Sequence, residues 1–110
     1  MHINMEEKNG VSVCYVQGDI DINSSPEVKK YFEQVTREKK DKIVINFKDV
    51  NYVDSSGLAT LVDVLKKMRA YGGVLKLSNL SEKVMGLFEI TKLNKLFVIV
   101  QEEADALSSF

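Results

Sequence analysis

The sequence predicts an α/β domain: a small mixed β-sheet that starts with an antiparallel hairpin, continues with parallel strands and is accompanied by about four helices. Three observations lead there. An Asn-Gly pair separates two short segments at the start of the chain, and beyond it apolar helical stripes alternate with short β-branched runs. The chain has 110 residues, 45% hydrophobic and 28% charged, which is enough to bury one core of its own.

Each element follows from local chemistry. Asn9-Gly10 tolerates the two positive-φ positions of a tight hairpin turn, so strands are expected around residues 3–8 and over residues 11–17. The first is the weaker and falls to an edge; the second sets Val11, Val13 and Tyr15 against Ser12, Cys14 and Val16. Ser24-Ser25-Pro26-Glu27 places serines for capping and a proline where its missing N–H does no harm, so a helix opens there. Val28, Tyr31, Phe32 and Val35 then recur at helical spacing opposite Lys29, Lys30, Glu33 and Arg37.

Ile43, Val44 and Ile45 make residues 42–47 a continuous β-branched run, as in a central strand covered on both faces. Leu58, Leu61, Val62, Leu65 and Met68 mark a second helix after Asp54-Ser55-Ser56-Gly57, and Gly72-Gly73 ends it. A strand at 74–77, a helix from Ser81 through Val84, Leu87, Phe88 and Thr91, a strand at 97–100 and a short helix from Glu102 complete the pattern. Strands joined by helices of this length are parallel neighbours. No repeat or linker composition interrupts the chain, so one domain is expected over residues 1–110.

The formal net charge is -1, from 15 basic and 16 acidic residues spread along the chain, which offers no field for nucleic acid or anionic lipid. No apolar run approaches the roughly 18 residues of a membrane span, and the first residues lack a signal peptide's pattern, so a cytoplasmic protein with protein partners is expected. Cys14, the only cysteine, lies among valines, where a thiol fills space and suits a reducing compartment.

In sheets of this kind, binding sites collect at the carboxyl ends of the parallel strands, where residues 18–25, 49–57 and 78–81 form loops. Asp54-Ser55-Ser56-Gly57 holds more helix-start residues than one cap requires. On one reading Asp54 or Ser55 caps the helix and the remaining serine has no role. On the other, a serine in the first turn carries a phosphate, since free N–H groups and the helix dipole favour an anion there. Such a group adds about -1.5 to -2 charges beside Asp54 and turns the surface against a partner built for a neutral hydroxyl. Thr60 and Asp63 rise from the same edge and are expected as exposed partner contacts.

Gly18-Asp19-Ile20-Asp21 and Asp54-Ser55-Ser56-Gly57-Leu58, in this order and at this separation, resemble the bacterial anti-sigma factor antagonists of the STAS domain family. The resemblance covers nearly the whole chain. It implies that Ser56 is phosphorylated by a serine kinase that is itself the anti-sigma factor, and that a phosphoserine phosphatase resets it. The unphosphorylated form would capture the anti-sigma factor and free its sigma factor. Asp21 matches the acidic residue beside the phosphorylation site, and Asp54, Ser55 and Gly57 complete the partner-binding face. Domains of this family also serve in stress-signalling assemblies and beside transporters; the length of a lone domain favours the antagonist role.

Other function classes lack their chemistry. A nucleophilic serine needs a base and an orienting acid, and the sole histidine, His2, sits at the terminus, so no enzyme and no catalytic residue is expected. A nucleotide cradle would need a glycine-rich turn opening a helix with its lysine, whereas Gly72-Gly73 closes one. Asp19 and Asp21 read as turn carboxylates and not as metal ligands, so neither cofactor nor metal is expected. Tyr31, Phe32, Leu87, Phe88 and Met68 belong to core stripes, while Gly86 beside Met85 signals close packing or a looser helix.

Overall fold

Asn9 and Gly10 adopt φ angles of 54° and 78°, and this left-handed pair folds β1 (His2–Lys8) antiparallel onto β2 (Val11–Gln17). The computed structural model describes residues 1–110. It continues through α1 (Ser25–Arg37), β3 (Lys42–Asp49), α2 (Ser55–Ala70), β4 (Val74–Ser78), α3 (Glu82–Ile90), β5 (Val98–Val100) and α4 (Glu103–Ser108). The five strands lie in chain order, β1-β2-β3-β4-β5, with every pair after the hairpin parallel and β3 in the centre. None of the helices is long and apolar enough to cross a membrane.

The helical stripes pack as their spacing demands. Val28, Phe32 and Val35 of α1, Leu58, Leu61, Leu65 and Met68 of α2, and Val84 and Phe88 of α3 share one core with Cys14, Val16, Ile43, Ile45, Phe47, Leu75 and Leu77. Full burial of one such side chain contributes about 1.5–3 kcal/mol. The opposite sheet face is covered by α4 alone, where Ala106 meets Val11, Val13 and Val44. The central strand is therefore buried on both faces, as its run of β-branched residues requires. Gly72, at φ 83°, terminates α2, and the Gly73 N–H reaches the Met68 carbonyl at 2.8 Å.

The last strand is shorter than its composition suggests. Phe97 precedes it and turns inward, packing edge-on against Phe88 with ring centroids 5.6 Å apart. A 3₁₀ turn at Leu93–Lys95, entered through Lys92 at φ 63°, directs the ring there.

Polar contacts seat α4. The Lys8 Nζ donates to the Tyr15 hydroxyl at 2.7 Å and to Glu103 at 3.0 Å, and Asn46 Nδ2 donates to Glu103 Oε1 at 3.1 Å. Burial alone would raise the Glu103 pKa, but hydrogen bonds from Tyr15, Lys8 and Asn46 together outweigh it and hold the carboxyl below the usual range. At the other end of α4 the Lys76 ammonium, buried under the helix, donates to Ser109 Oγ at 2.7 Å and lies 3.9 Å from the centroid of the Phe110 ring.

A carboxyl whose folded pKa is depressed stabilises the fold above its unfolded pKa, and that stability is lost as pH falls through the folded value. Glu103→Gln is thus expected to melt about 4–8 °C lower than wild type at pH 7, the equivalent of about 1 kcal/mol in a domain of this size, with the gap closing as the buffer is taken to strong acid. A gap independent of pH would show that the carboxylate charge plays no part. Cys14 is fully buried and its thiol is pushed up to about 12 by that burial. It is expected to resist a colorimetric disulfide reagent at pH 8 in the folded protein and to react completely in denaturant.

Candidate functional site: two loops joined at the start of α2

The chain leaving β2 and the chain leaving β3 are held together by backbone hydrogen bonds beyond the ends of the regular sheet. The Gly18 N–H donates to the Asp49 carbonyl at 3.1 Å, the Ile20 N–H to Tyr52 at 2.9 Å, and the Asp54 N–H to Ile20 at 3.1 Å. Ile20 and Val53 form an isolated parallel bridge. The start of α2 rests directly on this pair: a Cβ on Gly57 would lie 2.4 Å from the Ile20 carbonyl oxygen and 2.9 Å from both Ile20 Cγ2 and Val53 Cγ1. No residue larger than glycine fits there without displacing backbone.

Asp54 is the cap of α2, and its two oxygens act on different segments. Oδ1 accepts the Gly57 N–H at 3.0 Å, closing the first turn, while Oδ2 accepts the Ile22 N–H at 3.0 Å and pins the other loop. The choice between Asp54 and Ser55 as cap is settled for Asp54, so neither serine is needed for it. Ser55 is exposed and Ser56 half-buried. Neither hydroxyl bonds to the chain, and neither is among the enclosed polar atoms lacking a partner, so both reach water. The Ser55 and Ser56 N–H groups likewise find no acceptor in the chain, which leaves the positive end of the helix open to an anion.

Ser56 faces a shallow groove formed with Ile22, Ser25, Pro26, Lys29, Ala59 and Thr60, so the first turns of α1 and α2 provide its walls. Asp21 shapes this neighbourhood from within the loop. Its Oδ1 accepts the N–H groups of Asn23 at 2.9 Å and Ser24 at 3.1 Å, and its carbonyl accepts the Ser25 hydroxyl at 2.6 Å. Neither Ser24 nor Ser25 caps α1 with its side chain, because the Ser24 hydroxyl donates to the Asp19 carbonyl at 2.6 Å.

One expectation needs revision. Thr60 is not an exposed contact: it is only 8% exposed, wedged between helices, and its hydroxyl donates to the Ser56 carbonyl at 3.1 Å. Asp63, by contrast, leaves 42% of its side chain to solvent while pairing with Lys67 at 3.1 Å one turn further along α2. Conversely, the surface around Ser56 includes residues that sequence reasoning passed over. Ile22 is 69% exposed, whereas Ile20 two residues earlier in the same loop is fully buried, and Ala59 and Pro26 extend the apolar surface of Ile22. Nothing in the Asp-Ile-Asp-Ile run of residues 19–22 tells the exposed isoleucine from the buried one.

A sheet with strands in this order, a hydroxyl-bearing helix start at its carboxyl edge and a second loop stapled beside it define a STAS-type module. The chain belongs to the STAS domain family, whose family model matches residues 2–106. It is 37% identical over 101 residues to the anti-sigma-B factor antagonist of Bacillus subtilis, covering 90% of this chain and 92% of that one. Among solved structures, an anti-sigma factor antagonist from Mycobacterium paratuberculosis matches with a TM-score of 0.90 at 25% identity, over 98% of this chain and 92% of that chain. The phosphorylated form of the Bacillus cell fate determinant SpoIIAA shares the fold, with a TM-score of 0.72 at 18% identity over 97% of each chain.

Gly57→Ala is expected to lower the unfolding free energy by about 2–3 kcal/mol in urea melts, the cost of forcing an extra carbon into packed surroundings. Ser55→Ala and Ser56→Ala, which break no hydrogen bond made by the hydroxyl, are expected to stay within about 0.5 kcal/mol of wild type. A harmless Gly57→Ala would show that the Ile20 loop is free to move away from α2.

Proposed function

We propose that this chain is an anti-sigma factor antagonist controlled by phosphorylation of Ser56. In its unphosphorylated form it binds an anti-sigma factor with serine kinase activity, which then releases its sigma factor; a phosphoserine phosphatase restores the binding form. The observation that carries this reading is the division of labour at the start of α2. Asp54 alone completes the cap, and the Ser56 hydroxyl is left open to solvent at a helix terminus with free N–H groups.

Ser56 is favoured over Ser55 because it lies in the groove between α1 and α2, where a partner seated on Ile22 and Ala59 would cover it. A phosphate there adds about -1.5 to -2 charges that the helix terminus offsets within the domain but that a partner matched to a hydroxyl does not. The Asp54 carboxylate, held by its two hydrogen bonds beside the site, adds to the repulsion. The chain acts as a binding module and not as an enzyme. In support, the Ser56 hydroxyl has no hydrogen-bonded base, and the only histidine lies on β1, among residues that line a different depression from that of Ser56. Action in the cytoplasm accords with a fully buried free cysteine.

The decisive experiment incubates the protein with kinase-type anti-sigma factors from its own organism and ATP, then maps phosphate by mass spectrometry. Modification is expected on Ser56 in wild type and in Ser55→Ala, and to be absent from Ser56→Ala. Ser56→Asp is expected to bind the anti-sigma factor at least a hundredfold more weakly, about 2.7 kcal/mol, with an unchanged circular dichroism spectrum. Phosphate on Ser55 would overturn the residue assignment, and no phosphate on either serine would overturn the switch.

A further inference from the structure

A second groove opens at the same edge of the sheet, on the other side of the Asp54 loop. It has a volume of about 310 Å³ and is bounded by Tyr52 and Val53 on one side and by Val84, Gly86, Leu87 and Ile90 of α3 on the other. Ile90 is 83% exposed and Tyr52 43% exposed, so both offer apolar surface to solvent at the groove. Gly86 sharpens the point. Glycine inside a helix disfavours folding relative to alanine and is normally explained by close packing or an unusual backbone. Here neither applies: its φ is not positive, and a Cβ built on it would meet nothing within 4 Å. The missing side chain keeps the groove open and does nothing for the fold.

At the mouth, the Lys83 ammonium lies 5.5 Å from the Tyr52 ring centroid, and the ion pairs of the chain employ Lys8, Lys40 and Lys67 but not Lys83. Glu82 lies on the same rim but is not paired with Lys83, so this cation is available to a carboxylate from outside. The groove also lies next to the switch loop, since Tyr52 and Val53 immediately precede Asp54 and Val53 bridges to Ile20.

We infer that this groove is a second contact for the same anti-sigma factor, receiving a bulky apolar side chain of that protein with an acidic residue beside it for Lys83. The inference rests on the reading of the chain as an antagonist. It gives Gly86 a purpose, and it places an anchor on each side of Ser56: Ile22 on one, the groove on the other.

The test is calorimetric titration of the full chain with the anti-sigma kinase that modifies Ser56, accompanied by thermal melts and sedimentation. Gly86→Ala, which leaves most of the groove open, is expected to bind within about threefold of wild type and to melt no lower. Gly86→Phe fills the groove and is expected to bind at least about tenfold more weakly, as truncation or blocking of an interface anchor does. Lys83→Glu and Ile90→Ser alter only exposed positions, so they fold whatever Gly86→Phe does; each is expected to weaken binding at least about threefold. Binding unchanged in Gly86→Phe, or in both Lys83→Glu and Ile90→Ser, overturns the groove while leaving the Ser56 switch standing. A wild-type dimer that Gly86→Phe dissociates would assign the groove to a second copy and overturn the inference. If wild type itself binds no anti-sigma kinase, both readings fall.

Discussion

The carbonyl group of Ile20 governs the geometry of the functional edge. It accepts the Asp54 N–H and at the same time occupies the space into which any side chain at position 57 would project. Through it the loop after β2 and the first turn of α2 become one rigid unit, and the Asp54 carboxylate fastens the same two segments again through Ile22 and Gly57. The residues around Ser56 take their positions from this junction. Ile22 projects outward because its N–H is held from below, and Asp21 is committed to the loop's own turn. The chemistry of the edge is therefore preorganised: a partner meets a surface that folding has already set.

Much of the fold could be read from residue patterns, because the forces involved are local or periodic. Asn9-Gly10 names its turn, the stripes of α1 and α2 name their buried faces, and the β-branched run around Val44 names a strand with two covered sides. What escaped the patterns depends on tertiary placement. Thr60 looks like a surface residue by polarity, yet the approach of α1 to α2 covers it and its hydroxyl turns back to the Ser56 carbonyl. Phe97 belongs by composition to a strand, but the aromatic contact with Phe88 draws it out of line. The network around Glu103 joins residues up to 95 positions apart, a distance at which no local rule operates.

The site was legible to a different degree. Local chemistry pointed to the start of α2 but treated Asp54 and Ser55 as equal candidates for the cap, and family resemblance singled out Ser56. The structure explains why both serines are spare: one carboxylate meets the needs of the helix terminus and of the neighbouring loop together. Gly86 shows the opposite case, a residue visible in the sequence whose meaning depends on empty space in the folded chain.

The chain-order arrangement of the strands has a kinetic corollary. Because every strand pairs with the one made immediately before it, the sheet can grow outward from the hairpin with each new segment closing only a short loop. The exception is α4, which must reach back to Lys8 and Asn46 before Val11, Val13 and Val44 are shielded. During synthesis, one flank of the nascent sheet thus lacks its apolar cover until residue 103 and its neighbours have been added.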